Sequence, residues 1–305
     1  MHTKSRLNTS SPIIDRQALH ALGVLVPVRF NWVKVMPGRH PLGRAGDGMR
    51  ILHTRPYIAG EDNPRDIDKF SPPDKPIVVE WENEAQASIL LLADVSASMA
   101  LPQKAALRNA CLLQLTYSMW RAGDRVATTL FDNVLHEQIQ APNLKTQMER
   151  LVATLSRSQS HPGGTTDVTS VLQQYLGQAR HRHCDLLFVV SDFVNTDEND
   201  IAPAADWRGI LKQLQRNIVP VIVSFEVPKE VQGLVKLYDV ERKSRRLTWF
   251  SQRRIGRVNR EERERVANLI RSFRSAGLDY MLVSSQFQIY PQLARLARMR
   301  RQRKH

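Results

Sequence analysis

At 305 residues the chain is long enough for one or two domains with a substantial core. Its 42% hydrophobic and 24% charged residues are ordinary for a globular protein, and two cysteines exclude a disulfide framework. The formal net charge of +14 suits an acidic partner, whether nucleic acid, an anionic membrane surface or an acidic protein, without choosing among them.

No stretch approaches the roughly 20 apolar residues that cross a bilayer. Residues 18–28 come nearest and are too short. The N-terminus lacks the full plan of a signal peptide, so the expectation is a cytoplasmic chain. Cys111 and Cys184 read as small core residues.

Residues 1–12 are polar, and 15–25 suggest a short helix. Residues 29–48 are basic and glycine-rich and read as loop. They contain no G-x-x-x-x-G-K-[ST], so they are not a nucleotide-binding loop of that type. Gly60 to Pro64 is a turn signal. Pro72 and Pro73 preclude regular structure nearby. Ile77, Val79 and Trp81 then alternate with Val78, Glu80 and Glu82, which predicts an edge strand. Arg55 and Arg65, with Asp62, Asp66 and Asp68, predict a salt-bridged network holding this segment against the main domain.

The stretch SILLLADVSASM follows, residues 88–99. Its apolar run reads as a buried strand. Asp94, Ser96 and Ser98 then place one carboxylate and two hydroxyls at alternate positions where the strand opens into a loop. These are hard oxygen ligands suited to Mg²⁺, although Asp and Ser also serve turns and helix caps. A helix is expected over 101–121, with Leu107, Ala110, Cys111, Leu115 and Met119 facing a sheet. Strands are expected over 125–131 and 134–139, and a helix over 144–155 with Leu144, Met148, Leu151, Val152 and Leu155 inward.

The loop SQSHPGGTTDVTS spans 158–170. Gly163 and Gly164 permit a tight backbone path. Thr165 and Thr166 offer hydroxyls that can meet a metal or cap the helix starting near Asp167. Residues 185–190 predict another buried strand, ending in Ser191-Asp192-Phe193. It is the second strand with a carboxylate at its C-terminal end, where ligands of open parallel sheets gather.

Residues 207–215 predict a helix, 218–225 a strand and 231–240 a strand region. Residues 242–257 read as basic and irregular. Asn259 and Glu262 fit a capping box for a helix carrying Val266, Leu269, Ile270 and Phe273. A strand at 279–283 and a helix at 287–299 complete the chain. The alternation argues for an α/β sheet with helices on both faces.

At Asp94-x-Ser96-x-Ser98, Gly163-Gly164-Thr165 and Ser191-Asp192 the chain resembles the von Willebrand factor A domain and the pattern of its metal-ion-dependent adhesion site. That resemblance implies an open, mostly parallel sheet, and Mg²⁺ or Mn²⁺ surrounded by Asp94, Ser96, Ser98, Thr165 and Asp192. Ser96 and Ser98 match direct hydroxyl ligands, and Asp94 and Asp192 match carboxylates that often act through water. The string Arg55-x-Tyr57-x-x-Gly60-x-Asp62-x-x-Arg65-x-Ile67-Asp68, ahead of that domain, resembles the bacterial domain of unknown function 58 family. Lys69 stands where the family has tryptophan, and Ser71-Pro72-Pro73 replaces its usual Ser-Ala-Arg. Relatives are often linked to MoxR-type AAA+ ATPases. The implied organisation is an extension over 1–28, an arm or small β subdomain over 29–87, and a von Willebrand factor A-like domain over 88–305.

The expected function is a non-enzymatic, metal-dependent protein-interaction module whose partner is such an ATPase or its client, bound through an acidic residue. A second reading is nucleic-acid binding through Arg242, Lys243, Arg245, Arg246, Arg253, Arg254, Arg257 and Arg260, with Trp249 and Phe250 as stacking surfaces. A third is a Mg²⁺-dependent hydrolase built on Asp94 and Asp192. His53, His136, His161, His181 and His183 are its available bases, and spacing ties none of them to a nucleophile.

Overall fold

The computed structural model describes Val26 and residues 36–160, 168–177, 184–194, 217–228, 230, 233–239 and 244–302. The helices expected over 15–25 and 207–215 lie outside the described residues. So do Gly163, Gly164, Thr165, His161, His181, His183, Arg242 and Lys243.

A long hairpin comes first. Strand β1 (Met36–Pro56) pairs antiparallel with β2 (Ile77–Gln86). The glycines and prolines of 36–48 hide this strand in the sequence, where the segment reads as loop. The ladder absorbs them through four register irregularities, between Pro37 and His40, Pro41 and Ala45, Ala45 and Arg50, and Ile51 and His53. Gly46 lies so close to β2 that a Cβ there would fall 2.5 Å from the Asn83 Cβ. On β2 the buried residues are Val78 and Ala85, and Trp81 is half-exposed, which corrects the expected apolar face.

Of the expected network the Arg55–Asp62 pair forms, within the hairpin and not against the sheet, and it is joined by Glu80 in place of Arg65, Asp66 and Asp68. Arg55 donates to Asp62 through both terminal nitrogens, at 2.7 and 2.5 Å, and through Nε to Glu80 at 2.6 Å. Gly60 turns the chain at φ 88°. The Tyr57 N–H donates to the Pro76 carbonyl, and Ile67 bridges to Val78. Asp68 accepts from the Phe70 N–H at 3.1 Å, and Arg65 donates its N–H to the Asn63 side chain at 3.0 Å. Anchoring to the main sheet falls instead to His40, whose Nε2 lies 2.8 Å from Asp124 Oδ1, and to Gln86, which donates to the Gly123 carbonyl at 2.7 Å.

The main sheet has six strands: β3 (Ser88–Asp94), β4 (Arg125–Phe131), β5 (Leu135–Ile139), β6 (Leu186–Ser191), β7 (Ile218–Val223) and β10 (Met281–Val283). Their spatial order is β10-β7-β6-β3-β4-β5, and only β5 runs antiparallel. The connecting helices are α1 (Pro102–Arg121), α2 (Leu144–Ser160), α3 (Val168–Gly177), α4 (Gln252–Ser275) and α5 (Ile289–Gln302). Side chains alternate across a strand, so β3 feeds two cores. Ile89, Leu91 and Ala93 pack with α1, α2 and α5, while Leu90 and Leu92 pack with α3 and α4. The expected α/β sheet, open and mostly parallel with helices on both faces, is the observed architecture.

Local chemistry sets the helix ends. Pro102 opens α1, where its missing N–H costs nothing. Gly123, at φ 94°, closes it in the left-handed region. On α2 the exposed Val152 departs from the expected inward set, and Gln147 is buried instead, donating to the Ile139 carbonyl. Two expectations near residue 250 are corrected. The segment read as irregular contains β9 (Ser244–Phe250), paired antiparallel with β8 (Gly233–Asp239), followed at once by α4. Ser251 caps α4, accepting from the Arg254 N–H at 3.3 Å, and Asn259 sits inside the helix. The buried Asn259 amide clamps the Val227 backbone, accepting from its N–H at 2.8 Å and donating to its carbonyl at 2.9 Å.

Candidate functional site

The chain leaves β3 for β4 on one side of it, while β6 pairs with β3 on the other. The strand order therefore reverses between β3 and β6, and such a point opens a crevice beyond the C-terminal strand ends. Asp94 closes β3 and Ser191-Asp192 ends β6 at that crevice. Asp94, Ser96 and Asp192 are buried there, and Ser98 is partly exposed.

Hydrogen bonds join the group. Asp94 Oδ1 accepts from the Ser96 N–H at 2.8 Å, which curls the loop back over its own carboxylate. Asp94 Oδ2 accepts from Ser191 Oγ at 2.6 Å, and Ser191 Oγ accepts from the Phe193 N–H at 2.8 Å. Ser96 Oγ and Ser98 Oγ lie 3.2 Å apart. Ser98 Oγ donates to Asp192 Oδ1 at 3.2 Å, and the Val194 N–H donates to the same oxygen at 3.1 Å. Phe193 holds a positive φ of 55°, fixed by the Ser191 contact and by an edge-to-face contact with Phe273 at 5.3 Å.

Cations flank the carboxylates. Lys104 Nζ, from the first turn of α1, donates to Asp192 Oδ2 at 2.6 Å. Arg108, one turn further on, is buried and donates to the Asp94 carbonyl at 3.0 Å. Burial pushes its guanidinium down to about 10, against the pull of Asp94. Arg265 on α4 donates to the Asp192 carbonyl and grips Glu262 through two bonds of 2.8 Å. Glu262 also accepts from Ser224 Oγ beyond β7. Burial, then the neighbouring Asp192 carboxylate, pushes Asp94 up to about 6, and bonds from Ser191 and Ser96 oppose the rise.

Asp94, Ser96, Ser98 and Asp192 thus meet in one place. Two carboxylates and two hydroxyls are a hard oxygen set of the kind Mg²⁺ and Mn²⁺ take, and one of the carboxylates, Asp192, already holds a cation in the Lys104 ammonium. Among the described residues no cluster of three or more His, Cys, Asp or Glu side chains gathers, so a metal here relies on the serine hydroxyls. Sequence reasoning missed Lys104, Arg108 and Arg265. Lys104 and Arg108 share a helix face four residues apart, yet a helical arginine gives no sign that it turns inward.

The other candidates stand apart. His53 pairs with Glu80 at 3.2 Å and His136 with Asp132 at 3.3 Å. Arg253, Arg254, Arg257 and Arg260 are exposed along the first turns of α4, and Arg245 and Arg246 lie on β9. Trp249 is exposed beside them. A groove of about 800 Å³ runs from Val95, in the Asp94 loop, between β5 and α2, with Arg150 and Arg157 on its wall. Among the described residues no helix is long and apolar enough to cross a membrane.

There is no significant match among curated proteins. Solved structures with likeness include an aerotolerance-related membrane protein from Bacteroides fragilis, 13% identical, with TM-score 0.39 over 68% of this chain and 99% of that one. The pilus adhesin SpaC from Lactobacillus rhamnosus is 13% identical, with TM-score 0.37 over 70% of this chain and 30% of that one. The manganese-loaded TRAP protein of Plasmodium vivax is 21% identical, with TM-score 0.33 over 45% of this chain and 56% of that one. These likenesses are too low to bear on mechanism. The family model described as protein of unknown function DUF58 matches residues 53–269, more than half of the chain, and the protein belongs to that family.

Proposed function

We propose that the chain is a non-enzymatic protein-interaction module whose contact is made through a divalent cation. Asp94, Ser96, Ser98 and Asp192 would hold Mg²⁺ or Mn²⁺, joined by Thr165 from the loop outside the described residues. The observation that carries this reading is the hydrogen-bonded run from Ser96 Oγ through Ser98 Oγ to Asp192 Oδ1 at the mouth of the crevice, with Asp94 buried beneath.

A bound divalent cation would supply a position for one carboxylate from a partner. The chain's own residues do the rest. The hydroxyl donors add no negative charge to that of the two carboxylates, and burial of Asp94 and Asp192 goes with a low local dielectric that strengthens the cation's pull. Ser191 and the Ser96 N–H orient Asp94, and the Val194 N–H orients Asp192. The +14 chain steers an acidic partner inward. That partner is a MoxR-type AAA+ ATPase or its client, in a chaperone or assembly system of the cytoplasm.

The test is partner capture from a lysate by wild-type and Ser98→Ala protein, each in Mg²⁺ and in chelator, followed by calorimetry with the purified partner. Binding that needs Mg²⁺ and fails in Ser98→Ala is expected. Equal binding in chelator refutes the metal bridge.

A further inference from the structure

Lys104 reaches the carboxylate at the mouth of the crevice from the first turn of α1. Its Nζ lies 2.6 Å from Asp192 Oδ2, with the lysine side chain 12% exposed and that of Asp192 wholly buried. The other Asp192 oxygen is already committed to Ser98 Oγ and the Val194 N–H. Both oxygens of Asp94 accept bonds from Ser96 and Ser191. Among the described residues, Oδ2 of Asp192 is thus the one carboxylate oxygen of the four that is held by a movable cation and not by a backbone amide or hydroxyl. The side chain of Lys104 is long and flexible, and its ammonium hydrates strongly.

We propose that Lys104 is the resident cation of this site, and that a divalent metal and the Lys104 ammonium are alternative occupants of Asp192. This rests on the metal reading above and adds what sets the metal's affinity. A metal held by Asp192 would share that carboxylate with Nζ. Two cations sharing one carboxylate in a site with little water repel strongly, so metal entry and withdrawal of Lys104 are one exchange. The metal-free protein keeps Asp192 neutralised and folded, because a buried carboxylate without a partner is strongly destabilising. The affinity for metal is lowered by the free energy needed to break the Lys104–Asp192 pair.

The probe is Mn²⁺ alone, titrated into wild type, Lys104→Met, Lys104→Gln and Lys104→Arg, with free Mn²⁺ read by electron paramagnetic resonance. Lys104→Gln removes the charge but keeps a donor for Asp192, so it serves if Lys104→Met does not fold. Both neutral variants should bind Mn²⁺ about tenfold or more tightly than wild type, with Lys104→Arg staying near wild type. In chelator the melting temperature of Lys104→Met should fall below that of wild type, and saturating Mn²⁺ should raise it by more than it raises wild type. Equal Mn²⁺ affinity in wild type and the neutral variants overturns the exchange and leaves the metal site standing. Absence of Mn²⁺ binding from all four proteins overturns both.

Discussion

Ser191 is the hinge-pin of the candidate site, and its removal gives a quantitative test. The hydroxyl donates to Asp94 Oδ2 at 2.6 Å and accepts from the Phe193 N–H at 2.8 Å, and the residue is wholly buried. Ser191→Ala removes one oxygen and strands two groups. A hydrogen bond to a charged group contributes about 1.5–3 kcal/mol, and a buried N–H left without a partner costs about 1–3 kcal/mol. The two losses share one atom and do not add fully, so the expected destabilisation is about 3 kcal/mol. With a urea dependence near 3 kcal/mol per M, that lowers the unfolding midpoint by about 1 M. The measurement is urea unfolding followed by circular dichroism, in chelator at pH 8, where Asp94, pushed up to about 6, is ionised. A loss below about 0.5 kcal/mol would refute the claim that Ser191 holds the Asp94 carboxylate and the strained Phe193 backbone together.

Three further outcomes are expected. Leu91, fully buried on the central strand, should cost about 2–5 kcal/mol on change to Ala, read by the same unfolding assay. Arg55 holds the Asp62 carboxyl down at about 2, below its unfolded value of 3.8, so this pair adds stability above pH 3.8 that is lost as pH falls toward 2. Hydrogen exchange on the hairpin should therefore quicken over that window in wild type, and Asp62→Asn should flatten the dependence. Cys111 is fully buried and its thiol is pushed up to about 12, so it should resist a thiol reagent at pH 8 until the protein unfolds.

The sheet was legible because its strands are unbroken apolar runs. Residues 88–94 and 186–191 are covered on both faces, so nearly every position is apolar and length alone separates strand from helix. Both carboxylates at the crevice were legible for the same reason, since each marks the sudden end of such a run. Of the hairpin, β2 was legible in the alternation at 77–82 and β1 was not. The latter is bulged four times around proline and glycine, and no period of two survives. Arginine density hid the first turns of α4, because 253–260 looks like a solvated stretch until Ile255 and Asn259 are seen to be buried. The cations around Asp94 and Asp192 were invisible for a different reason. Lys104, Arg108 and Arg265 come from two helices far apart in the chain, and only tertiary packing turns them toward these two residues, Lys104 to the Asp192 carboxylate and the arginines to the backbone carbonyls.

Ala87 is the single residue between β2 and β3, and it is wholly buried. The hairpin therefore has no slack hinge before it becomes the central strand. Tension applied at Trp81 is carried along covalent backbone, through a point pinned by Asp124 and Asp185, to the rung that ends at Asp94. The outer limb and the crevice thus share one unbroken stretch of backbone, and the ladders to β4 and β6 on either side hold its inner half in register.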